Sequence, residues 1–246
     1  MTEDLNALAE AAVSQGMRQG ADGVEAYANI GRQLSVEVRH GKVETLKQAE
    51  DKGIGVRLLK GQQVGFAFGT ELSRAGIEDV VRRALAAAVY TAADTHRRLP
   101  EPAETYAAME LYDQEIAAVP VEEKVALAKR MEEAALGFDP RVKVIEGSTY
   151  HEGSSEVAIV NSQGISASYR SAVCGLYISL AAQQDGQSET GYALWYGRRY
   201  RELAPEDLGR EAASRAVKLL GARTIKTCTV PVVFDPYVAV DIIGLL

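Results

Sequence analysis

Two stretches of this chain repeat the same succession of signals, and this repeat limits the possible folds more than any other feature. The first reads LSVEVRHGKVETLKQAEDKGIGVRLLKGQQVGFAF, and the second, about 125 residues later, reads IVNSQGISASYRSAVCGLYISLAAQQDGQSETGYALWY. In each, a polar turn ending in glycine precedes an alternating strand, a second turn follows, and a glycine-aromatic strand leads into a helix. We therefore predict a duplicated unit.

Glycines mark the turns of both copies. His40-Gly41 closes a turn in the first copy, and Asn161-Ser162-Gln163-Gly164 closes one in the second. Asparagine and glycine tolerate positive φ, so Gly41, Asn161 and Gly164 are predicted to be structural turn residues, and this is preferred to a nucleophilic role for Ser162. Gly53-Ile54-Gly55 lacks the third glycine of a dinucleotide-binding fingerprint, which favours a bend or bulge.

Helices are predicted on both sides of each set of strands. In the first copy, Leu5, Leu8 and Ala12 repeat at helical spacing after Thr2, and Ser73 is placed to cap a second helix after strands at 24–30 and 34–39. The second copy has a helix at 121–136, strands at about 142–150, 155–162, 165–182 and 190–200, and a helix from Pro205. The predicted fold class is α+β, with duplicated helix–antiparallel meander–helix units whose sheets are covered by helices.

The predicted domain division follows from these units. A duplicated amino-terminal domain spans residues 1–225, with copies at about 1–91 and 120–222 and a proline-containing linker at about 92–119. After it, 229–234 resembles an apolar strand, and Pro236 begins an apolar helix with no third meander. We expect 226–246 to begin an incomplete carboxy-terminal domain and the chain to be the front part of a longer protein.

Composition and charge limit the kinds of molecule that the chain is expected to bind. The 27 basic and 34 acidic residues give a net charge of −7 without a basic block, so no binding to nucleic acid is predicted. No apolar run approaches the roughly 20 residues that span a bilayer, and the acidic amino terminus differs from a signal peptide, so we expect a cytoplasmic protein without a membrane partner. Cys174 and Cys228 lie in apolar contexts and are predicted to be buried thiols.

Three segments in this order resemble the amino-terminal half of the TldD/PmbA proteins, also called modulators of DNA gyrase. They read DGVEAYANIGRQLSVEVRHGKVETLKQAEDKGIGVRLLKGQQVGFAFGTEL, IVNSQGISASYRS and TVPVVFDPYVAVDIIGLL. The resemblance implies cytoplasmic peptidases that act as a heterodimer, in which a TldD-type subunit holds zinc and a PmbA-type (TldE) subunit does not.

Metal-binding residues separate the two subunit types. In TldD-type members, a helix with two histidines and a glutamate follows the apolar strand that 229–234 resembles, whereas the corresponding Asp241 to Leu246 contains no histidine. His151-Glu152 has no second imidazole at helical spacing, and His40 and His96 fall in a turn and a loop. We therefore predict no catalytic residue, no metal ligand and no cofactor in this chain, with zinc bound by a TldD-like partner.

An aromatic strand supplies the candidate binding residues. Tyr192, Trp195 and Tyr196 are candidates for a peptide groove, although packing beneath helices is the simpler interpretation. The predicted function is a non-catalytic PmbA/TldE-like subunit of a zinc metallopeptidase complex, with peptides as substrates and a TldD-like subunit or a second copy as partner. Two alternatives remain open: a peptidase whose active site lies in a missing carboxy-terminal region, and a peptide-binding module without a partner.

Overall fold

The structure, a computed structural model, describes residues 4–245. The first unit comprises helix α1 (Leu5–Arg18), strands β1 (Gly23–Arg39), β2 (Lys42–Lys60) and β3 (Gln63–Gly69), and helix α2 (Arg74–Ala88). A connection containing the short helix α3 (Gln114–Ala118) leads to the second unit. It comprises α4 (Val121–Leu136), β4 (Val142–Asn161), β5 (Ser166–Gln184), β6 (Gln187–Gly197) and α5 (Pro205–Leu219), and α6 (Pro236–Ile243) follows.

All six strands form one sheet in the order β3-β2-β1-β4-β5-β6, and each neighbouring pair is antiparallel. The first strands of the two units pair with each other, so the two predicted meanders share a single sheet. This arrangement confirms the predicted α+β class. The strand order is the one expected for two equivalent units related by an approximate twofold rotation about an axis between β1 and β4.

The predicted breaks within β1 and β4 are wrong. The separate strands predicted at 24–30 and 34–39 are one continuous strand, and so are those predicted at 142–150 and 155–162. The residues between the predicted segments are Gly31-Arg32-Gln33 in β1 and 151–154 in β4, and the β1 triplet pairs with Gly153, Ser154 and Ser155 of β4. Small and polar residues resemble a turn locally, but here each strand satisfies the backbone hydrogen bonds of the other.

The four long helices lie on one face of this sheet. Successive side chains of a strand point to opposite faces, and from Val24 to Val38 every buried residue of β1 has an even number. The first half of β1 packs in a core with α1 and α2, and its second half packs in a core with α4 and α5. The opposite face of the sheet is free of these helices, and we call it the open face.

Helix caps and buried helix faces partly follow the predictions. Ser73 caps α2 by accepting a hydrogen bond from the Gly76 amide at 3.2 Å, as predicted, whereas Asp4 caps α1 and Thr2 lies outside the described residues. In α4, the sequence pattern did not predict that Lys124 and Glu132 would be buried. They are buried because α4 packs on the sheet through a face that includes these two polar side chains as well as Leu127 and Met131.

Three further expectations are corrected. The predicted strand at 229–234 is not formed, and its residues are exposed and irregular; Cys228, predicted to be buried, is exposed beside them. Gly53 and Gly55 pair with β1 in continuous register, and the irregularity of the β1–β2 pairing lies instead at Glu37/Val38.

Within residues 4–245, no helix is both long and apolar enough to cross a membrane.

Candidate functional site

The open face carries an unusual set of exposed aromatic side chains. At the β3 end of the sheet, Phe66 and Phe68 pair with β2 residues that lie opposite Glu25 and Tyr27 of β1. Tyr169 of β5 extends the same patch. Two more aromatic side chains, Tyr192 and Tyr196, lie on the β6 side of the same face. Each of the six side chains is between 39% and 67% exposed: Tyr27, Phe66, Phe68, Tyr169, Tyr192 and Tyr196. Exposed apolar patches of this kind mark surfaces that bind other molecules.

Between the aromatic ends, small and polar residues leave a groove across the strands. One cavity of about 390 Å³ is lined by Gly31, Gly153 and Ser155, among others. A neighbouring cavity of about 490 Å³ shares Gln33, Gly153 and Val173 with it and reaches Tyr196. We call these two cavities the open-face groove. Its lining includes the amide and hydroxyl side chains of Asn29, Gln33 and Ser155, which can hydrogen bond to the backbone of an extended chain, together with the charged side chains of Asp51 and Arg198.

His151 and Tyr196 form one end of this groove. Their rings are stacked with centroids 6.4 Å apart and an interplanar angle of 27°. Tyr196 can lie there because the neighbouring strand has glycine: a Cβ atom on Gly175 would come within 2.3 Å of the tyrosine ring. Burial lowers the pKa of His151, with partial opposition from Glu37, and burial raises the pKa of Tyr196. Both side chains are therefore favoured in their neutral forms, as donors or acceptors of hydrogen bonds.

The three predicted groove aromatics do not share one environment. Tyr196 lies in the open-face groove, whereas Trp195 points to the helix face and packs against the core of the second unit. Tyr192 lies on the open face, but Tyr237 packs against it with ring centroids 5.8 Å apart, and the Tyr237 hydroxyl donates to the Leu194 carbonyl at 3.0 Å. Only Tyr196 of the three lines the groove.

The turn residues occupy the positions that the sequence suggested. Gly41, with φ of 69°, follows His40 between β1 and β2, and Gly164, with φ of 103°, lies between β4 and β5. The Asn161 side chain accepts from the amides of Gln163 and Ile165, both at 3.0 Å, and donates to the Pro100 carbonyl at 2.9 Å. These contacts give Asn161 a structural role in the β4–β5 turn.

The histidines are dispersed over the described part of the chain. His40 lies in the β1–β2 turn, His96 in the loop after α2, and His151 on β4. Within residues 4–245, no group of three or more histidine, cysteine, aspartate or glutamate side chains is arranged to hold a metal ion. The residues present therefore do not fit the zinc centre that the family resemblance implies for TldD-type subunits.

The residues of the groove floor were not among those predicted from the sequence, for an identifiable reason. The floor includes Gly31-Arg32-Gln33 and Gly153-Ser154, which fell between predicted strands, and Ser155, which began one. The signal that could have found them is their occurrence at the middle of the first strand in both copies. A break repeated at the same place in a duplicated unit indicates a shared structural feature.

Comparison with protein families matches the two units separately. Residues 24–88 match the PmbA/TldA metallopeptidase domain 1, and residues 114–220 match the PmbA/TldA metallopeptidase central domain. The first match covers β1 to α2, and the second covers α3 to α5. The first match therefore leaves out α1 of the first unit, and the second includes the short helix α3 of the connection.

Curated relatives carry the same family name. The chain is 31% identical to the metalloprotease PmbA of Escherichia coli O157:H7 over 92% of this chain and 51% of the relative. It is 28% identical to a metalloprotease PmbA homolog of Haemophilus influenzae over 98% of this chain and 54% of the relative. The chain therefore spans about half the length of these relatives.

Solved structures share the fold. A proposed modulator of a DNA gyrase from Thermotoga maritima matches with a TM-score of 0.81 and 21% identity, over 89% of this chain and 49% of that one. TldE from Thermococcus kodakarensis matches with a TM-score of 0.78 and 16% identity, over 85% of this chain and 47% of that one. At these identities the likeness concerns the fold alone. Together with the two family matches and the curated relatives, it leads to the conclusion that this chain belongs to the PmbA/TldD family.

Proposed function

We propose that this chain acts as the non-catalytic, PmbA/TldE-like subunit of a TldD/PmbA-type zinc metallopeptidase complex that degrades or processes peptides. The observation that carries this proposal is the similarity of nearly the whole chain to proteins named metalloprotease PmbA. A cytoplasmic location and a TldD-like partner belong to the same proposal. In this proposal the zinc is bound by that partner, and the dispersion of His40, His96 and His151 over the described residues is compatible with it.

The open-face groove supports a peptide-holding role. An extended peptide presents backbone amide and carbonyl groups at every residue, and the groove floor offers polar groups at Asn29, Gln33 and Ser155. Aromatic side chains at both ends provide apolar contacts for the side chains of a peptide. Such a surface would bind many sequences with modest affinity, as a subunit of a peptide-degrading complex must.

A sheet edge offers a second place for an extended chain. β3 pairs with β2 only at residues 54–60, so within the described structure no strand pairs with the outer edge of residues 42–50. These residues are exposed on both faces. An added strand would gain backbone hydrogen bonds there, and the charges of Lys42, Glu44 and Lys47 would discourage indiscriminate aggregation.

The proposal is tested by reconstitution with a TldD-type subunit. We expect the tagged chain to co-purify with that subunit, and the pair to hydrolyse an unstructured peptide in a chelator-sensitive way, while this chain alone shows no hydrolysis. Chelator-sensitive hydrolysis by this chain alone, or failure to co-purify with any TldD-type subunit tested, would contradict the proposal.

The groove is tested in the reconstituted pair. Tyr196→Ala removes an aromatic wall and should raise the KM for an unstructured peptide several-fold with little change in kcat. Tyr90→Ala is the matched control, because Tyr90 is 89% exposed just after α2 and does not line the groove. Equal KM values for the two variants would exclude the groove as the peptide-binding surface.

A further inference from the structure

A separate cavity lies on the helix side of the sheet. It has a volume of about 360 Å³ and extends beneath the connection from α3 to α4. Its floor includes Leu34, Glu152 and Ala172, and its wall includes Ile116 and Lys124. The volume is within the range of sites that bind small molecules. This cavity shares the strand backbone with the open-face groove but faces the opposite direction.

A buried charged pair lines this cavity. The Lys124 ammonium lies 2.6 Å from Glu152 Oε2, and the two side chains are 3% and 15% exposed. The Tyr150 hydroxyl donates to the same Oε2 at 2.6 Å, and its ring lies beneath the ammonium, 5.8 Å from Nζ. Removing two charges from water carries a desolvation free-energy cost even when they are paired. A buried charged pair in a cavity wall is therefore a candidate for ligand binding.

Both charged groups retain hydrogen-bonding capacity. An ammonium has three donors, and the Glu152 carboxylate accounts for one of those of Lys124. The two bonds to Glu152 both involve Oε2, so neither occupies Oε1. The cavity therefore presents one cationic and one anionic group side by side, together with the apolar surface of Leu34 and Ile116.

The remaining charges near the cavity are balanced. Arg32 lines it, and its guanidinium contacts Glu50 at 2.8 Å and Glu156 at 3.7 Å. Arg170 also contacts Glu156, at 3.4 Å. A ligand with a net charge would meet no excess of the opposite charge here. A ligand with one positive group, one negative group and an apolar side chain would complement both the charged pair and the apolar surface of the cavity.

We propose that this cavity binds a small zwitterion, namely an α-amino acid or dipeptide with an apolar side chain. Its ammonium group would bind Glu152, its carboxylate would accept hydrogen bonds from Lys124, and its side chain would contact Leu34 and Ile116. Binding at this site goes beyond the proposed role in a peptidase complex and needs no partner subunit.

Calorimetry on the 246-residue chain tests the proposal. Leucine and leucyl-leucine are titrated, with N-acetyl-leucine amide as the probe that lacks both charges. We expect saturable binding of at least one zwitterion and binding at least about tenfold weaker for the capped compound, a difference of about 1.4 kcal/mol. Equal binding of capped and free compounds, or no saturable binding of either zwitterion, would overturn the proposal.

Variants locate the binding. Lys124→Met removes the ammonium but leaves Glu152 buried, so it can also impair folding. Ala118→Trp is the second variant, since Ala118 is exposed at the cavity and a large side chain there blocks entry without disturbing the core. Ala93→Trp, at an exposed loop position that does not line the cavity, is the matched control. Zwitterion binding should be lost in Ala118→Trp and retained in Ala93→Trp, and equal binding by both would refute the assigned site.

Discussion

Gly65 and Gly191 occupy equivalent positions in the two units, each pressed against an alanine of the helix that closes its unit. A Cβ atom on Gly65 would come within 1.9 Å of the Ala84 carbonyl oxygen, and one on Gly191 within 2.3 Å of the Ala212 carbonyl oxygen. In both units the strand and helix backbones touch directly, which only glycine permits. The two units thus share the same strand–helix contact, as expected for a duplicated unit.

We predict that Gly65→Ala and Gly191→Ala each destabilise the fold by about 2 kcal/mol or more, because the helix must move away from the sheet. Gly153→Ala is the matched control, since a Cβ atom there meets only ordinary contacts at 3.8 Å and 3.9 Å. Urea unfolding of the three variants measures the difference. Equal destabilisation by Gly153→Ala and Gly65→Ala would show that the close contact is unimportant.

The buried Lys124–Glu152 pair should show strong coupling. Removing one partner leaves a buried charge unpaired, so Lys124→Met should cost about 3 kcal/mol of unfolding free energy. The double variant Lys124→Met/Glu152→Gln should recover much of that loss. A double-mutant cycle by denaturant unfolding measures the coupling, with Arg74→Met as a control because Arg74 in its pair with Glu78 is 93% exposed. Additive single effects would contradict the prediction.

The depressed pKa of His151 makes the stability of the fold depend on pH. Because burial favours the neutral ring in the folded state, the unfolded chain binds more protons below its ordinary pKa of about 6.5, and folding stability falls on acidification through that value. His151→Phe keeps an aromatic ring against Tyr196 but cannot titrate. We expect the variant to lose less stability between about pH 7 and 5.

An NMR titration provides the direct check on His151. Its ring signals should titrate below about pH 6.5 in the folded chain and near that value in urea. A folded-state pKa at or above the urea value would reverse the sign of the predicted stability change.

The two thiols should differ in reactivity. Burial raises the pKa of Cys174 to about 12, whereas Cys228 is exposed. At about pH 8, a thiol reagent should therefore modify one cysteine rapidly and the second only after unfolding. Cys228→Ser should abolish the fast phase. Rapid modification of that variant under native conditions would show that the core around Cys174 opens readily.

Local sequence patterns predicted most of the elements. The duplication, the helix starting at Val121, the cap at Ser73 and the turn glycines each depend on residues within a few positions of one another. The family resemblance was also available from sequence, because it rests on the order of such local signals. Continuity of β1 and β4 was not, since it depends on pairing with other strands: each pairs with the next strand of its own unit, and the two pair with each other across more than a hundred residues.

Thus the sequence alone determined the order of helices, turns and strand segments, because propensity and periodicity act over one or two turns of chain. Only the tertiary structure decided that Gly31 pairs with Ser155, that all four long helices lie on one face, and that Lys124 meets Glu152 beside a cavity. Those outcomes depend on which surfaces bury each other, and that choice involves residues from distant parts of the chain.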